Sequence, residues 1–575
     1  MRRLMFFISL FVLSSIVTDL HAGDLRPIAI VESKVNLEAA RAIGMDTARG
    51  VQYWTALADG LGVPFRLVDD EALEAGVDGA AVLIVCGATI LSDGQVDAIK
   101  RFQAGGGALL LVGMPGLRTP DGAERTDLLA PQLAGLGAVR TFDPETLGAS
   151  SFTVRLGSPL GPAVEPALRF EVDTPGTVWA ADMEEPAAYW VDWGMAPLLG
   201  EPKAMGTSAA IALAEPEGGR VAWMGGTPEW ITEVNDQAAS GRRMAMQLLR
   251  WLLGRPSIHV GWWPLGLPAA TVLTADVETN FENGEAIALM FHRESVRGTF
   301  FVLGDLAREF PFVVDALAEN GDVGSHSMHH KTFQGRPGGE QQAEIREAVE
   351  LLHDLGVRRV SGFRPPMEEY DAATLQAVAD EGLDFVYGNL KYDRAWPIKR
   401  IVGDRTIWQF ARIVPDDFNF ARDHGVDDAA GYTGQYMLWA LRMFDLGGLF
   451  AFSFHTNYLG LEDHVETIGR FLRWVKHQPV WITTFRDIVR WVETREAVAV
   501  TIRETPATLE VHLSNHGPES VSGFPLIYLG TTAAPPTLLT AVDGVVVRAR
   551  EDLGHLVLVD LAPGDTKTII IQTAK

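Results

Sequence analysis

Twice along this chain, short runs of β-branched and aliphatic residues alternate with amphipathic stretches of helical period, and that repeat limits the folds open to it. Apolar strand runs separated by helices belong to parallel sheets covered on both faces. In the first stretch, residues 27–31, 64–68, 80–86 and 108–112 read as strands, with helices expected over 37–61 and 93–103. Residues 24–255 are therefore expected to form a doubly wound parallel sheet. In the second stretch, strands are expected at 271–275, 299–303, 361–364, 385–387, 449–454 and 480–483, with helices at 311–319, 340–355 and 463–477. Repeated βα units across 269–496 predict a (β/α) barrel. Between the two stretches, 256–268 is short, rich in Trp, Gly and Pro, and reads as a linker. After Ala497 the pattern changes to strict alternation, as in AVAVTIRE, TLEVHLSN, HLVLVDL and KTIIIQT, so 497–575 is expected to be a β-sandwich. The fold class is α/β with a C-terminal β domain.

Composition removes several functions. With 48 basic against 74 acidic side chains the formal charge is −26, and no Lys/Arg-rich block is present. A grip on nucleic acid through its phosphates is thereby excluded. Cys86 is the only cysteine of the 575 residues, which excludes an intramolecular disulfide, a Cys-ligated zinc and a CxxC redox pair. The chain starts MRR, continues with a 14-residue apolar run from Leu4 to Val17, and reaches small residues at Ala22-Gly23. That is the layout of a secretory signal peptide over residues 1–22. The run is shorter than the ~20 apolar residues of a membrane span. A secreted or periplasmic protein without an integral span is expected.

The segment AVLIVCGATILSDGQVDAIKRFQAGGGALLLVG, through its strand, its SDGQ helix start and its GGG turn, resembles the class I glutamine-amidotransferase-like fold in its non-catalytic form. A catalytic cysteine requires a base to generate thiolate, usually a histidine. No histidine lies between His21 and His259, and the GxCxG elbow of the catalytic enzymes is replaced by Ile84-Val85-Cys86-Gly87-Ala88. Cys86 is therefore expected to be a buried residue at a strand end, in a module for binding, docking or scaffolding. The tryptophans Trp179, Trp190, Trp193, Trp223 and Trp230 either stack on sugar rings or serve as packing.

Chemistry concentrates in the second stretch. Asp276 and Glu278 lie in LTADVETN, His326, His329 and His330 in HSMHH, Arg364 in GFRPPMEE, and His455 at the end of LFAFSFHTN. In a barrel of βα units the carboxyl ends of the strands converge on one face. Two imidazoles four apart, joined by a carboxylate from another strand, suit a catalytic divalent-metal site with open positions. Asp276 and Glu278 are two apart, so on an extended strand they share a face.

In this order the segments resemble the NodB-homology polysaccharide deacetylases, carbohydrate esterase family four, across roughly 230 residues. The resemblance implies one divalent ion, zinc before cobalt or nickel, held by His326 and His330. It implies Asp276 as catalytic base, Arg364 as its bidentate tether, and His455 as the acid that protonates the leaving amine. The backbone N–H of Met367, after the RxP turn, would stabilise the oxyanion. Two departures from the family pattern stand out. Its adjacent aspartates are replaced by Asp276-Val277-Glu278, which makes Glu278 the metal ligand, or exchanges the two roles, or leaves one carboxylate structural. Its Tyr-Gly after RxP is replaced by Met367-Glu368, so that Glu368 either adds negative charge to the pocket and favours a cationic glycan, or is a solvated loop residue. Asp393 and Trp396 in NLKYDRAWP are candidates for the family's pocket-lining fourth motif, or a plain loop. His329 is out of phase and is not expected to ligate.

The expected function is a metal-dependent deacetylase acting on an N-acetylated polysaccharide or oligosaccharide. Two alternatives remain: a deformylase or other amide hydrolase of the same superfamily, for which an acid-Val-acid pattern is also known, and a carbohydrate-binding pseudoenzyme. Oligomeric state is not read from the sequence.

Overall fold

A computed structural model describes residues 16–18, 26–44, 46–142, 151–173, 177–190, 208–388, 393–505, 507–530, 535–539, 543–550 and 554–573. The expected signal peptide lies outside them, apart from the backbone of Ile16–Thr18, which pairs in parallel with Ile502–Glu504. Among the described residues no helix is long and apolar enough to cross a membrane.

In the N-terminal part, five parallel strands lie in the order Phe65–Val68, Ile28–Val31, Val82–Val85, Ala108–Val112, Val221–Met224. Val82–Val85 and Ala108–Val112 are buried throughout, the continuous apolar signature of a sheet covered on both faces. Ile30, Ile84 and Leu110 pack against Trp54, Leu57 and Leu248 on one side. Val31, Leu83 and Leu109 pack against Leu73, Val96 and Ile99 on the other. The SDGQ segment starts the helix Asp93–Ala104 through a reciprocal cap, Gln95 N–H to Ser92 Oγ (3.1 Å) and Ser92 N–H to Gln95 Oε1 (2.8 Å). Two features differ from expectation. The helix expected over 37–61 is two helices, Lys34–Ala42 and Ala48–Gly60, because Gly44 adopts a φ of 77° and ends the first. The sheet also continues past Val221–Met224 through antiparallel strands Ser208–Ala214, Ala188–Trp190, Ser151–Val154 and Arg169–Glu171.

In the middle part the strands run Ile398–Val402, Arg405–Phe410, Phe385–Tyr387, Gly362–Phe363, Gly321–Ser325, Gly298–Val302, Ala269–Val277, Leu449–His455, with Val480–Thr483 beside the first half of Ala269–Val277. All neighbours are parallel except the hairpin of the first two. Phe485 touches Phe301, Phe385, Tyr387 and Phe410 from strands up to four places apart, so the sheet curls around it. Among the described residues no ladder joins Leu449–His455 to the hairpin, so the expected barrel is a strongly curled sheet that stays open on one side.

The C-terminal part has two sheets. Val498–Glu504, Thr508–Asn515, Thr566–Gln572 and Thr537–Leu538 form one; Ser257–Val260, Val521–Leu529, His555–Leu561 and Val545–Ala549 form the other. Their inner faces share a core that includes Ile502, Val511, Ile569, Phe524, Leu526 and Val557, and Thr508–Asn515 alternates between buried and half-buried residues as one strand of a sandwich should. The segment expected as a linker is corrected here: Ser257–Val260 pairs antiparallel with Leu526–Leu529. The apolar SIHV run supplies an edge strand to a sandwich whose other strands lie more than 200 residues onward. Glu504, buried between Arg250 (2.7 Å) and Arg255 (2.9 Å), joins the N-terminal and C-terminal parts.

Candidate active site

Strand Ala269–Val277 is buried along its whole length and delivers two carboxylates at its carboxyl end. Val277 packs outward toward Gly284, so that Asp276 and Glu278 turn the other way. The Glu278 Oε2 lies 2.9 Å from His330 Nε2 and 3.3 Å from His326 Nε2. His326 directly follows strand Gly321–Ser325, and Ser327, with φ at 72°, turns the chain so that the two imidazoles approach to 5.3 Å. The Nδ1 of His326 donates to the carbonyl of Arg364 at 2.7 Å, which leaves Nε2 as the free lone pair. Burial opposes charge on Glu278, but the neighbouring imidazoles of His326 and His330 outweigh it and hold its carboxyl well below the usual range. The hydrogen bond to Glu278 raises His330.

These three donors fit one divalent cation. One ligand atom from each lies within 4.8 Å of the others, and a carboxylate with two imidazoles is a donor set of catalytic sites that keep open positions. His329 points elsewhere, with its Nδ1 3.1 Å from Glu344.

Asp276 is buried, and its Oδ2 receives Nε–H of Arg364 at 2.5 Å. The expected bidentate tether is corrected to a single contact. The second oxygen, Oδ1, has no hydrogen-bond partner. Arg364 is itself locked: its guanidinium sits 4.5 Å over the Tyr387 ring and pairs with Glu368 at 3.1 Å. Although burial disfavours its charge, Asp276 and Glu368 raise its pKa further.

His455, at the end of strand Leu449–His455, presents Nε2 3.5 Å from Asp276 Oδ2. Its Nδ1 lies 2.6 Å from Oδ1 of Asp417, a residue with no exposed side-chain surface. The other oxygen of Asp417 accepts the backbone N–H groups of His455 (2.8 Å) and Leu459 (3.2 Å). Burial works against the imidazolium, but Asp417, Asp276 and Asp416 outweigh it and push His455 up to about 10. Sequence reasoning did not single out Asp417. Its signal was the Asp-Asp pair opening the helix Asp417–His424: Asp416 caps that helix and pairs with Arg412, which leaves the second carboxylate for another task.

Met367 has φ at 57° and its side chain is largely exposed, in the turn directly after Arg364-Pro365-Pro366. Glu368 does not add free charge to the pocket: it is held by Arg364 and Arg412, both at 3.1 Å through one of their amino groups, and is mostly buried. Asp393 and Trp396 are also corrected. Ala395 O accepts the N–H of Leu449, at the start of the strand whose other end carries His455. Seven residues at ~3.3 Å each put them roughly 20 Å from the site. There Asp393 accepts from Gln237 (2.8 Å) of the N-terminal part, and Trp396 packs on Trp262 and Trp263. In the N-terminal part Cys86 is buried, and burial together with Glu229 pushes its thiol up to about 12. Trp190 and Trp223 are fully buried, whereas Trp193 lies outside the described residues.

Residues 270–386 match the model of the polysaccharide deacetylase family, hydrolases that act on amide bonds. A stretch of 102 residues is 30% identical to a peptidoglycan-N-acetylglucosamine deacetylase of Bacillus cereus, covering 18% of this chain and 37% of that protein. Another of 95 residues is 36% identical to an uncharacterised protein of Streptomyces coelicolor, covering 16% and 34%. The chain thus spans about a third of the length of the curated relatives it matches. Among solved structures, Agd3, described as a novel carbohydrate deacetylase, aligns over 96% of this chain and 100% of its own, at 12% identity and a TM-score of 0.41.

Proposed function

We propose that this chain is a metal-dependent deacetylase that removes N-acetyl groups from amino sugars of an extracellular or cell-wall polysaccharide. The observation that carries the reading is the meeting of three groups at one end of the curled sheet: the Glu278, His326 and His330 donors, the Asp276–Arg364 pair, and the His455–Asp417 pair. The family match of 270–386 supports it. Glu278, His326 and His330 would hold the cation, zinc before cobalt or nickel. When bound, such an ion supplies Lewis acidity, polarising the acyl carbonyl and making water acidic enough to lose a proton near neutral pH.

The residues of the chain supply the rest. Asp276, held in place by Arg364, takes a proton from the attacking water at its unpartnered Oδ1. The Met367 N–H donates to the developing oxyanion. His455, protonated at neutral pH by its three carboxylate neighbours, gives a proton to the leaving nitrogen. The C–N bond breaks, and one amide plus one water yield acetate and a free amine.

Residues 24–255 act, in this reading, as a non-catalytic amidotransferase-like module that docks polymer or partner, and residues 1–22 direct the chain out of the cytoplasm. The test is acetate release from N-acetylated oligosaccharides by the purified chain with and without added zinc. Metal-stimulated release that disappears in Asp276→Asn supports the reading; a zinc-loaded chain that releases neither acetate nor formate from any such glycan overturns it.

A further inference from the structure

Directly after Arg364-Pro365-Pro366, two consecutive residues that are not glycine, Met367 and Glu368, hold φ at 57° and 59°. In this left-handed region a side chain crowds its own backbone, and only glycine enters it freely. Such strain persists where the surrounding structure over-determines the conformation, and it gathers at functional sites. The side chain of Glu368 is what over-determines it here.

The Glu368 carboxylate lies between two buried guanidiniums. Its Oε1 is 3.1 Å from Nη2 of Arg364, and its Oε2 accepts from Nη2 of Arg412 at 3.1 Å. Each arginine is anchored beyond this carboxylate. Arg364 donates from Nε to Asp276 at 2.5 Å. Arg412 donates from Nη1 to the Val414 carbonyl (3.1 Å) and to Asn419 Oδ1 (2.8 Å), and the same nitrogen lies 3.4 Å from Asp416. Behind the turn is Gly388, just after strand Phe385–Tyr387, where a Cβ would meet Glu368 Cβ at 3.4 Å.

The clamp reaches both reacting groups. Asp276, Arg364, Glu368, Arg412 and Asp416 alternate in charge along one chain of contacts. Asp416 adjoins Asp417, which holds His455, and His455 Nε2 returns to Asp276 at 3.5 Å. One planar guanidinium, that of Arg364, therefore fixes the base and the turn relative to each other. Breaking any link would leave a buried charge without its partner. We propose that Glu368 is a positioning residue: clamped by Arg364 and Arg412, it holds the strained turn so that the Met367 N–H stands where the acyl oxygen becomes charged. The proposal rests on the deacetylase reading for that oxyanion. An interaction made only with the developing charge acts on kcat and leaves KM alone.

The experiment compares Glu368→Gln, Glu368→Gly and Glu368→Ala in the full chain, with N-acetylglucosamine pentasaccharide as substrate. Glu368→Gln keeps the shape and removes the charge; metal content and thermal unfolding show whether it folds with its cation site intact. Its kcat should fall about 10²-fold with KM unchanged. Glu368→Gly, which frees the turn from clamp and strain together, should show the same split. Folded, metal-loaded variants with kcat unchanged, or with the loss in KM, overturn the proposal. A second arm needs no substrate. Alanine in ordinary backbone is at least as stable as glycine, but at a φ of 59° it keeps the strain that glycine relieves. Glu368→Gly should therefore unfold about 2–4 °C above Glu368→Ala; the reverse order overturns the strained turn. Acetate release by the parent chain reports separately on the deacetylase reading, so the two can fail independently.

Discussion

The Nδ1 of His455 lies 2.6 Å from Oδ1 of Asp417, while the opposite nitrogen of the same ring faces Asp276 at 3.5 Å. One carboxylate therefore fixes the ring and charges it, and the other shares the space where a substrate would be cleaved. The backbone amide of His455 also donates to Asp417, so ring and main chain are held by one side chain.

Removing that charge should change a pH profile more than a structure. His455 is raised from 6.5 to about 10, so it stays protonated through neutral and mildly alkaline pH. In Asp417→Asn the amide oxygen still accepts the Nδ1–H but the negative charge is gone. The alkaline limb of kcat/KM should move to lower pH, with a loss of roughly 10²-fold at pH 8.5 and much less at pH 6. A parallel loss at both pH values would assign Asp417 to packing alone.

The same shift couples to stability. A histidine raised in the folded state stabilises it fully below its unfolded pKa of 6.5, and that contribution is lost as pH climbs through about 10. The unfolding temperature of the parent chain should fall between pH 7 and 10, and His455→Gln should flatten this slope. Differential scanning calorimetry across that range reads it directly.

Metal content separates ligand from base. His326→Ala should lose most of the divalent ion, because Nε2 of His326 is one of the three donors. Asp276→Asn should keep it while activity falls at least 10³-fold. Elemental analysis of both variants checks this, and loss of metal in Asp276→Asn would make Asp276 a ligand and exchange its role with Glu278.

Arg364 cannot be replaced by lysine without loss. Its Nε serves Asp276 while another nitrogen serves Glu368, and its plane lies over Tyr387. A lysine offers one point charge in place of this fork. Arg364→Lys should lower kcat/KM by about 10²-fold, and Arg364→Ala should destabilise the chain by about 3–5 kcal/mol, since it leaves the buried Asp276 carboxylate without its arginine. Urea denaturation measures the second effect.

Glu504 provides a test remote from the site. Its carboxylate is buried between Arg250 and Arg255 where the N-terminal and C-terminal parts meet. Glu504→Gln should cost about 3–5 kcal/mol by leaving two buried guanidiniums without their anion. Its effect should appear as a lower unfolding temperature of the whole chain with the metal content of the folded protein unchanged.

Local periodicity carries the βα alternation and the strict alternation of the last 79 residues, because a strand or helix must show one face to a core whatever lies beyond it. The same rule placed Asp276 and Glu278 on one side of their strand, and four-residue spacing allowed His326 and His330 to meet. Tertiary structure alone decided the pairings between elements. Asp417 reaches His455 across 38 residues, Glu368 is neutralised by Arg364 and Arg412, and Ser257–Val260 joins a sandwich built from the other end of the chain. Asp393 and Trp396 sit at the amino end of strand Leu449–His455 for the same reason. A carboxylate reads alike in sequence whether it is free or paired, and only packing brings it an arginine, an imidazole or a strand end.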